Sequence, residues 1–236
     1  MARSTSSPAP PVVTPGTSPS DVPASDVPLS DVPGRPFALN LLISLRPVQW
    51  TKNLLIFAGL LFGRRLFSPV AVGRSAAAFA IFCLLSGVVY LINDVSDRAN
   101  DRQHPHKARR PIASGALSVP AALAAAVVIA GTALWGAFTL GLPFFAVAVS
   151  YLLLLSLYSG PLKHIVIIDV LTISVGFVLR AVAGAVAIDV EISHWLFVCT
   201  ILLALFISLA KRRHELVLLA SGAVGHRRIL SEYSPY

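Results

Sequence analysis

Charged residues and cysteines are scarce in this chain of 236 residues. Only 13% of the residues are charged and 56% are apolar, and the mean hydropathy is +0.76. Soluble domains carry about 25% charged residues, so the shortage excludes an ordinary soluble globule and predicts an integral membrane protein. The two cysteines, Cys83 and Cys199, both lie in apolar runs, which excludes a disulfide scaffold and a cysteine zinc site.

The first 36 residues differ in composition from the rest of the chain. They hold 9 of the 17 prolines, and a Ser-Asp-Val-Pro repeat begins at Ser20, Ser25 and Ser30. Proline at this density blocks helix and sheet, and the segment has little apolar surface to bury. Residues 1–36 are therefore predicted to form a disordered tail.

Long uncharged runs predict helices, because a bilayer core about 30 Å thick needs roughly 20 helical residues. The runs do not alternate in the way that barrel strands do. They predict an all-α, multi-span transmembrane bundle within residues 37–211, followed by a cytoplasmic segment at 212–236. The bundle is expected to contain about six helices, at 53–72, 75–95, 117–139, 142–160, 165–188 and 194–211.

Lysine and arginine are concentrated on one side of these spans. With the N-terminus inside, the inner loops hold 13 basic residues, and the outer loops hold three, namely Arg64, Arg65 and Arg74. This bias follows the positive-inside rule. It predicts a multi-pass protein of the cell membrane and places the loop that follows the second span on the cytoplasmic face.

The second predicted span runs directly into a cluster of acidic side chains. If the helix continues, Asn93, Asp97 and Asp101 recur at four-residue steps, and Asp94 stays on the side of Asp97 and Asp101. Carboxylates at this spacing repel each other, and a divalent cation relieves the repulsion. Oxygen ligands without an ordered histidine pair favour Mg²⁺ over Zn²⁺.

A basic loop follows the acidic cluster. Pro105 ends the helix, and Lys107, Arg109 and Arg110 come directly after it. Carboxylates that hold Mg²⁺ beside a cationic cluster form a site suited to a diphosphate. The competing interpretation is a solvated loop that only obeys the positive-inside rule.

Asp169 and Arg180 are ionisable residues inside the fifth predicted span. A charge in mid-membrane costs at least about 2.5–3.5 kcal/mol, which makes both residues candidates for function. Eleven residues separate them, about 16 Å along a helix, so they cannot pair with each other. The alternative for each is an ion pair that packs two helices together.

The motif Asn93-Asp94-x-x-Asp97-x-x-x-Asp101 resembles the first aspartate-rich motif of the UbiA superfamily of intramembrane prenyltransferases. In that family the motif lies between the second and third helices and binds the diphosphate of an activated substrate through Mg²⁺. The resemblance implies Asn93, Asp94 and Asp97 as metal ligands, and Asp97 and Asp101 as catalytic residues.

Further segments narrow the resemblance to one branch of the superfamily. They are 45–53, 104–115, 158–163, 176–184 and 211–216. Together they resemble the decaprenyl-phosphate phosphoribosyltransferase branch, which transfers 5-phosphoribose from phosphoribosyl diphosphate to a polyprenyl phosphate and releases diphosphate. The product would feed the assembly of cell-wall arabinan. The substrate-binding residues that this resemblance implies are Lys52, Tyr90, Lys107, Arg110, Tyr158, Lys163, Asp169 and Arg180.

Two other functions stay open. A UbiA-type aromatic prenyltransferase would share the Mg²⁺ motif, but it normally needs a second aspartate-rich loop, and residues 196–236 contain no aspartate. A non-catalytic membrane subunit would use the acidic loop only to anchor its helices. Nucleic acid is disfavoured as a partner, because the cations lie at a membrane face beside carboxylates.

Two expectations concern the extent and assembly of the chain. Members of the family usually carry about three further spans after the sixth helix, so part of the lipid-binding wall is expected to be missing here, through truncation, a frameshift or a shortened homologue. The sequence leaves the oligomeric state open, including a homo-oligomer.

Overall fold

The computed structural model describes residues 35–159, 166–191 and 194–219. Its regular elements there are all helices. Two of them are 3₁₀ helices, at Pro47–Ile56 and Lys107–Arg109. The α-helices are α1 (Phe37–Ser44), α2 (Phe57–Phe62), α3 (Pro69–Ser96), α4 (Arg98–Gln103), α5 (Pro111–Ser114), α6 (Val119–Leu140), α7 (Leu142–Ser159), α8 (Val166–Ala187) and α9 (His194–Leu219).

Proline, serine and glycine set the ends of the long helices. Pro69 lies in the first turn of α3, where its missing N–H costs nothing. Ser68 precedes it, and the Ser68 Oγ accepts a hydrogen bond from the amide of Ala71 at 3.4 Å. Gly141 separates α6 from α7 with a φ of 132°, a conformation that other residues rarely adopt.

Four helices are long and apolar enough to cross a membrane. They are α3, α6, α7 and the part of α8 from Val170 to Ala187. Large apolar side chains such as Val127, Trp135 and Leu153 are exposed on α6 and α7, as expected of helices that face lipid rather than water. The prediction of an all-α, multi-span membrane bundle is confirmed.

The first predicted span, at 53–72, is not one continuous helix. A 3₁₀ helix leads into the short α2, which ends at Phe62, and α3 begins at Pro69, six residues before the predicted start at 75. Arg64 and Arg65 lie exposed between the two. Their charges explain the break, since an apolar layer would not accommodate two guanidinium groups within a span.

The other predicted spans agree closely with α6, α7 and α8, while α9 continues beyond 211 to Leu219. Residues 1–34 of the predicted tail and 220–236 of the predicted cytoplasmic segment lie outside the described residues.

α3 occupies the centre of the bundle and packs against α6, α7 and α8. Phe82 on α3 contacts two aromatic rings of α7, with centroid distances of 5.9 Å to Phe144 and 4.9 Å to Tyr151. All three side chains are buried. This packing fixes the axis of α3 and thereby positions the acidic residues at its C-terminal end.

Candidate active site

Two carboxylates are buried where α3 passes into α4. Asp94 and Asp101 are each only 3% exposed. Asp97 lies at the junction, and its amide bonds to the carbonyl of Asn93 while its own carbonyl accepts from the amide of Asp101. The helical hydrogen bonding thus continues across the junction, and Asp94 and Asp101, seven residues apart, stay on one side.

Arg110 joins these two carboxylates. Its Nη1 donates to Oδ1 of Asp94 at 3.2 Å and to Oδ2 of Asp101 at 2.6 Å. Arg46 donates from Nη2 to the same Oδ1 of Asp94. Two guanidinium groups therefore neutralise two buried carboxylates, in the charge-assisted geometry that arginine favours.

Arg46 is a site residue that the acidic motif did not predict. It lies between α1 and the first 3₁₀ helix, with φ 53° and ψ 65°, a left-handed conformation that is uncommon outside glycine. Pro47 follows it and disfavours a right-handed helical conformation at Arg46. The resulting turn directs the side chain toward Asp94 and places its guanidinium 4.8 Å from the centre of the Tyr90 ring.

The basic loop is held by two arginines of α4. Arg98 Nε donates to the carbonyl of Ile112 at 3.3 Å, and Arg102 Nε donates to the carbonyl of Ala113 at 2.9 Å. These bonds dock α5 and position Arg110 beside the carboxylates. Lys107 lies exposed on the 3₁₀ turn, so the structure brings Arg110 rather than Lys107 into direct contact with the acidic residues.

Arg180 lies deeper in the bundle and is 6% exposed. Its Nε donates to Oδ1 of Asn53 at 2.8 Å, its Nη2 to the hydroxyl of Tyr151 at 2.7 Å and its Nη1 to the carbonyl of Gly176 at 2.9 Å. Asn53 is held in turn by a bond to Ser86 Oγ at 3.2 Å. These partners of Arg180 are all neutral, so within the described part of the chain Arg180 forms a polar network, and no ion pair of it is seen there.

Asn53 and Tyr151 were not predicted as site residues. Asn53 lies at the end of the 45–53 segment, which offered a sequence signal for it. Tyr151 lies in an otherwise apolar run, and nothing in its spacing pointed to Arg180, 29 residues away.

The remaining predicted residues have varied positions. Tyr90 is half-buried under Arg46, and Lys52 is exposed on the first 3₁₀ helix. Asn93, Asp97 and Tyr158 are half-buried, and they lie at or directly beside the C-terminal ends of α3 and α7. Lys163 lies outside the described residues, and so does the side chain of Asp169, whose backbone belongs to α8.

The donors at the α3–α4 junction suit a hard cation. In the described ranges, no three histidine, cysteine, aspartate or glutamate side chains lie together in a metal-binding group. Two carboxylates nevertheless converge on a single cationic nitrogen, Arg110 Nη1. Positive charge thus lies between oxygen donors here, the donor type that Mg²⁺ prefers, and Asn93 and Asp97 are close by in the chain.

Comparisons with known proteins show the family of this chain. The profile of the UbiA prenyltransferase family matches residues 33–214. A decaprenyl-phosphate phosphoribosyltransferase from Corynebacterium glutamicum is 36% identical over 81% of this chain and 59% of its own length. One from Mycobacterium tuberculosis (strain CDC 1551) is 35% identical over 81% of this chain and 65% of its own length. The chain therefore spans less than two thirds of the length of these relatives.

The fold has a counterpart among solved structures. A UbiA homologue from Archaeoglobus fulgidus, bound to GPP and Mg²⁺, superposes with a TM-score of 0.68. The match covers 82% of this chain and 69% of that chain, at 21% sequence identity. At that identity the likeness concerns the fold alone.

Proposed function

This chain belongs to the UbiA prenyltransferase family, and from that premise we propose that it acts in a membrane pentosyl transfer. It would transfer 5-phosphoribose from phosphoribosyl diphosphate to a polyprenyl phosphate of the decaprenyl type. The bond between ribose C1 and the diphosphate oxygen breaks, a bond from C1 to an oxygen of the lipid phosphate forms, and diphosphate leaves with the electron pair.

The observation that carries this proposal is the pairing of Asp94 and Asp101 with Arg110 at one end of a membrane-crossing helix. It joins oxygen ligands to a cation in a site that is partly shielded from water. Such a combination suits a donor that carries a diphosphate, because metal and guanidinium groups share its negative charge. The two phosphoribosyltransferase relatives support phosphoribosyl diphosphate as that donor.

Mg²⁺ would be held by Asn93, Asp94 and Asp97, and when bound it would neutralise charge on the departing diphosphate. Lys52, Lys107 and Arg110 would bind the donor phosphates, and Tyr90 would contact the donor beside Arg46. Asp101 would act by holding Arg110 in position, through the bond of 2.6 Å. Tyr158, Lys163 and Asp169 would close the opposite wall of the site.

Arg180 would bind a phosphate group deeper in the bundle. Its bonds to Asn53, Tyr151 and Gly176 use three of its five N–H donors. Because these partners are neutral, the guanidinium keeps its full positive charge for a phosphate anion. The acceptor phosphate is already an anion, so it needs positioning more than a general base.

The basic residues of the inner loops support a site on the cytoplasmic face of the cell membrane. Phosphoribosyl diphosphate is a soluble, highly charged donor, so a site at that surface can take it from water. The lipid acceptor would reach the same site from the bilayer.

The test is a membrane assay with labelled phosphoribosyl diphosphate and decaprenyl phosphate, with the Corynebacterium glutamicum relative as a positive control. Labelled lipid is expected with Mg²⁺ and not after chelation with EDTA. The isosteric change Asp97→Asn is expected to lower its formation about 100-fold, while the thermal midpoint stays within the range of the unaltered protein.

Two outcomes would overturn the proposal. Transfer from a labelled prenyl diphosphate to an aromatic acceptor, without transfer of phosphoribose, would identify an aromatic prenyltransferase. A folded protein that binds neither donor, and in which Asp97→Asn alters only assembly or stability, would identify a non-catalytic subunit.

A further inference from the structure

A polar pocket lies at the end of α3 remote from the acidic cluster. It has a volume of about 230 Å³ and is lined by Arg65, Ser68, Val70, Ala71, Arg74, Ile188 and Asp189. α3 has 28 residues, about 42 Å at 1.5 Å per residue, which matches the roughly 40–45 Å of a bilayer with its headgroups. With Asp94 at one membrane surface, this pocket therefore lies at the other.

Arg74 is held rigidly in the wall of this pocket. Its Nε donates to the carbonyl of Ala187 at 2.5 Å, and its Nη2 donates to the carbonyl of Leu140 at 2.6 Å. These bonds cap the C-terminal ends of α8 and α6, where helix carbonyls lack partners. Three of the five N–H donors of Arg74 are left for a ligand.

Arg65 and Asp189 complete the charges of the pocket. Arg65, Arg74 and Asp189 all line the pocket. None of the ion pairs seen in the described ranges joins Asp189 to either arginine. Two guanidinium groups and one carboxylate leave a net charge of one positive unit.

The net charge and the volume of the pocket indicate which kind of phosphate compound fits it. A phosphodiester carries one negative charge and matches the pocket, whereas a phosphate monoester carries about −1.5 to −2 and would be only partly neutralised. The volume is below the roughly 300–1,000 Å³ of pockets that enclose whole small molecules. A headgroup phosphate attached to a larger molecule outside the pocket fits both observations.

Apolar side chains beside the pocket indicate where the rest of the ligand lies. Phe67 is 99% exposed, and Leu66 and Val70 are also exposed next to the arginines. In a membrane protein such side chains contact acyl chains at the interface, while neighbouring arginines reach the headgroups. From these observations we propose that the pocket binds the phosphodiester group of a membrane phospholipid, whose acyl chains lie against Leu66, Phe67 and Val70.

Neighbouring arginines provide a matched test. Arg64 is exposed, like Arg65, but it does not line the pocket. We expect Arg65→Gln to weaken the binding of phosphatidylglycerol to the purified full chain by about tenfold or more, because it removes charge-assisted hydrogen bonds. Arg64→Gln removes the same charge one residue away and is expected to change the affinity less than about twofold. Native mass spectrometry of the delipidated protein, titrated with the lipid, measures both affinities.

The controls distinguish specific binding of the lipid in the pocket from nonspecific electrostatic attraction to a basic surface. Equal thermal midpoints of the two variants exclude unfolding as the cause, and dioleoylglycerol, which has no phosphate, is expected not to bind. Equal losses in both variants would overturn the proposal, since they would indicate only a diffuse basic surface. Displacement of the lipid by equimolar inorganic phosphate would also overturn it, because the site would then take a free anion. None of these measurements depends on the proposed transferase activity.

Discussion

Among single residues, Asp94 shows how a buried negative charge is paired. One of its oxygens accepts from both Arg46 and Arg110, and the second carboxylate, Asp101, shares Arg110. A buried carboxylate is costly unless it is paired and hydrogen-bonded, and here two arginines balance two aspartates. The pairing also aligns the side chains that the proposed donor would meet.

Removing the shared cation is expected to destabilise the fold. Arg110→Gln leaves Asp101 without its described ion pair and Asp94 with only Arg46. We expect the free energy of unfolding to fall by about 1–3 kcal/mol, the cost of leaving a buried polar group unsatisfied. Chemical denaturation in detergent, followed by circular dichroism, measures the change.

Arg109→Gln is the matched control for this prediction. Arg109 belongs to the same basic loop but is exposed, so its loss is expected to change stability by less than about 0.5 kcal/mol. Equal stability of both variants would show that the described ion pairs of Arg110 contribute nothing.

At the scale of helices, close packing depends on two glycines where the first 3₁₀ helix and α2 cross α8. A Cβ atom on Gly184 would lie 1.9 Å from the carbonyl oxygen of Ile56, and one on Gly59 would lie 2.8 Å from the amide nitrogen of Ala185. Small residues let helix backbones approach in this way inside membranes. The crossing also brings Asn53 within reach of Arg180.

Gly184→Ala is expected to disrupt this crossing. The added methyl group meets backbone and not a flexible side chain, so the helices must separate, at a cost of about 1–3 kcal/mol or more. Gly131→Ala on α6 is the control, because nothing lies within 4 Å of the position of its Cβ. That change is expected to be neutral, or stabilising by up to about 1 kcal/mol through helix propensity. Thermal midpoints in the same detergent compare the two, and a Gly184→Ala protein as stable as the control would contradict the tight crossing.

At the scale of the whole molecule, α3 connects two polar sites at opposite membrane surfaces. The acidic site lies at its C-terminal end, and the pocket of Arg65 and Arg74 lies at its N-terminal end. The apolar middle of the helix separates the two, so each site can be altered without touching the other.

The orientation of the molecule is testable by labelling. With Cys199 replaced by alanine, Arg109→Cys is expected to react with a membrane-impermeant maleimide only after the cells are permeabilised. Arg64→Cys is expected to react in intact cells, because it lies at the other end of α3. Both residues are exposed, so accessibility alone does not distinguish them. The reverse pattern would place the acidic site outside the cell and contradict the assignment from basic residues.

Much of the architecture was predictable from the chain because its signals are local. Apolar runs of sufficient length predicted the helices α3, α6, α7 and α8, since a bilayer imposes a minimum span. The first span was wrong in extent, because an apolar run interrupted by Arg64 and Arg65 does not reveal where the helix will break. In the site, the helical spacing of the aspartates predicted that Asp94 and Asp101 lie on one side of α3 and α4, and proximity along the chain predicted Arg110.

Sequence alone therefore determined the membrane class, the helical architecture, the acidic and basic loop and the resemblance to a family, because periodicity and composition are properties of neighbouring residues. Which cation contacts which group became clear only from the packing of the helices. Arg46 contacts Asp94 across 48 positions, and Arg180 contacts Asn53 across 127. Such contacts depend on how helices pack and on where a turn such as that at Arg46 directs its side chain, and no local spacing encodes either.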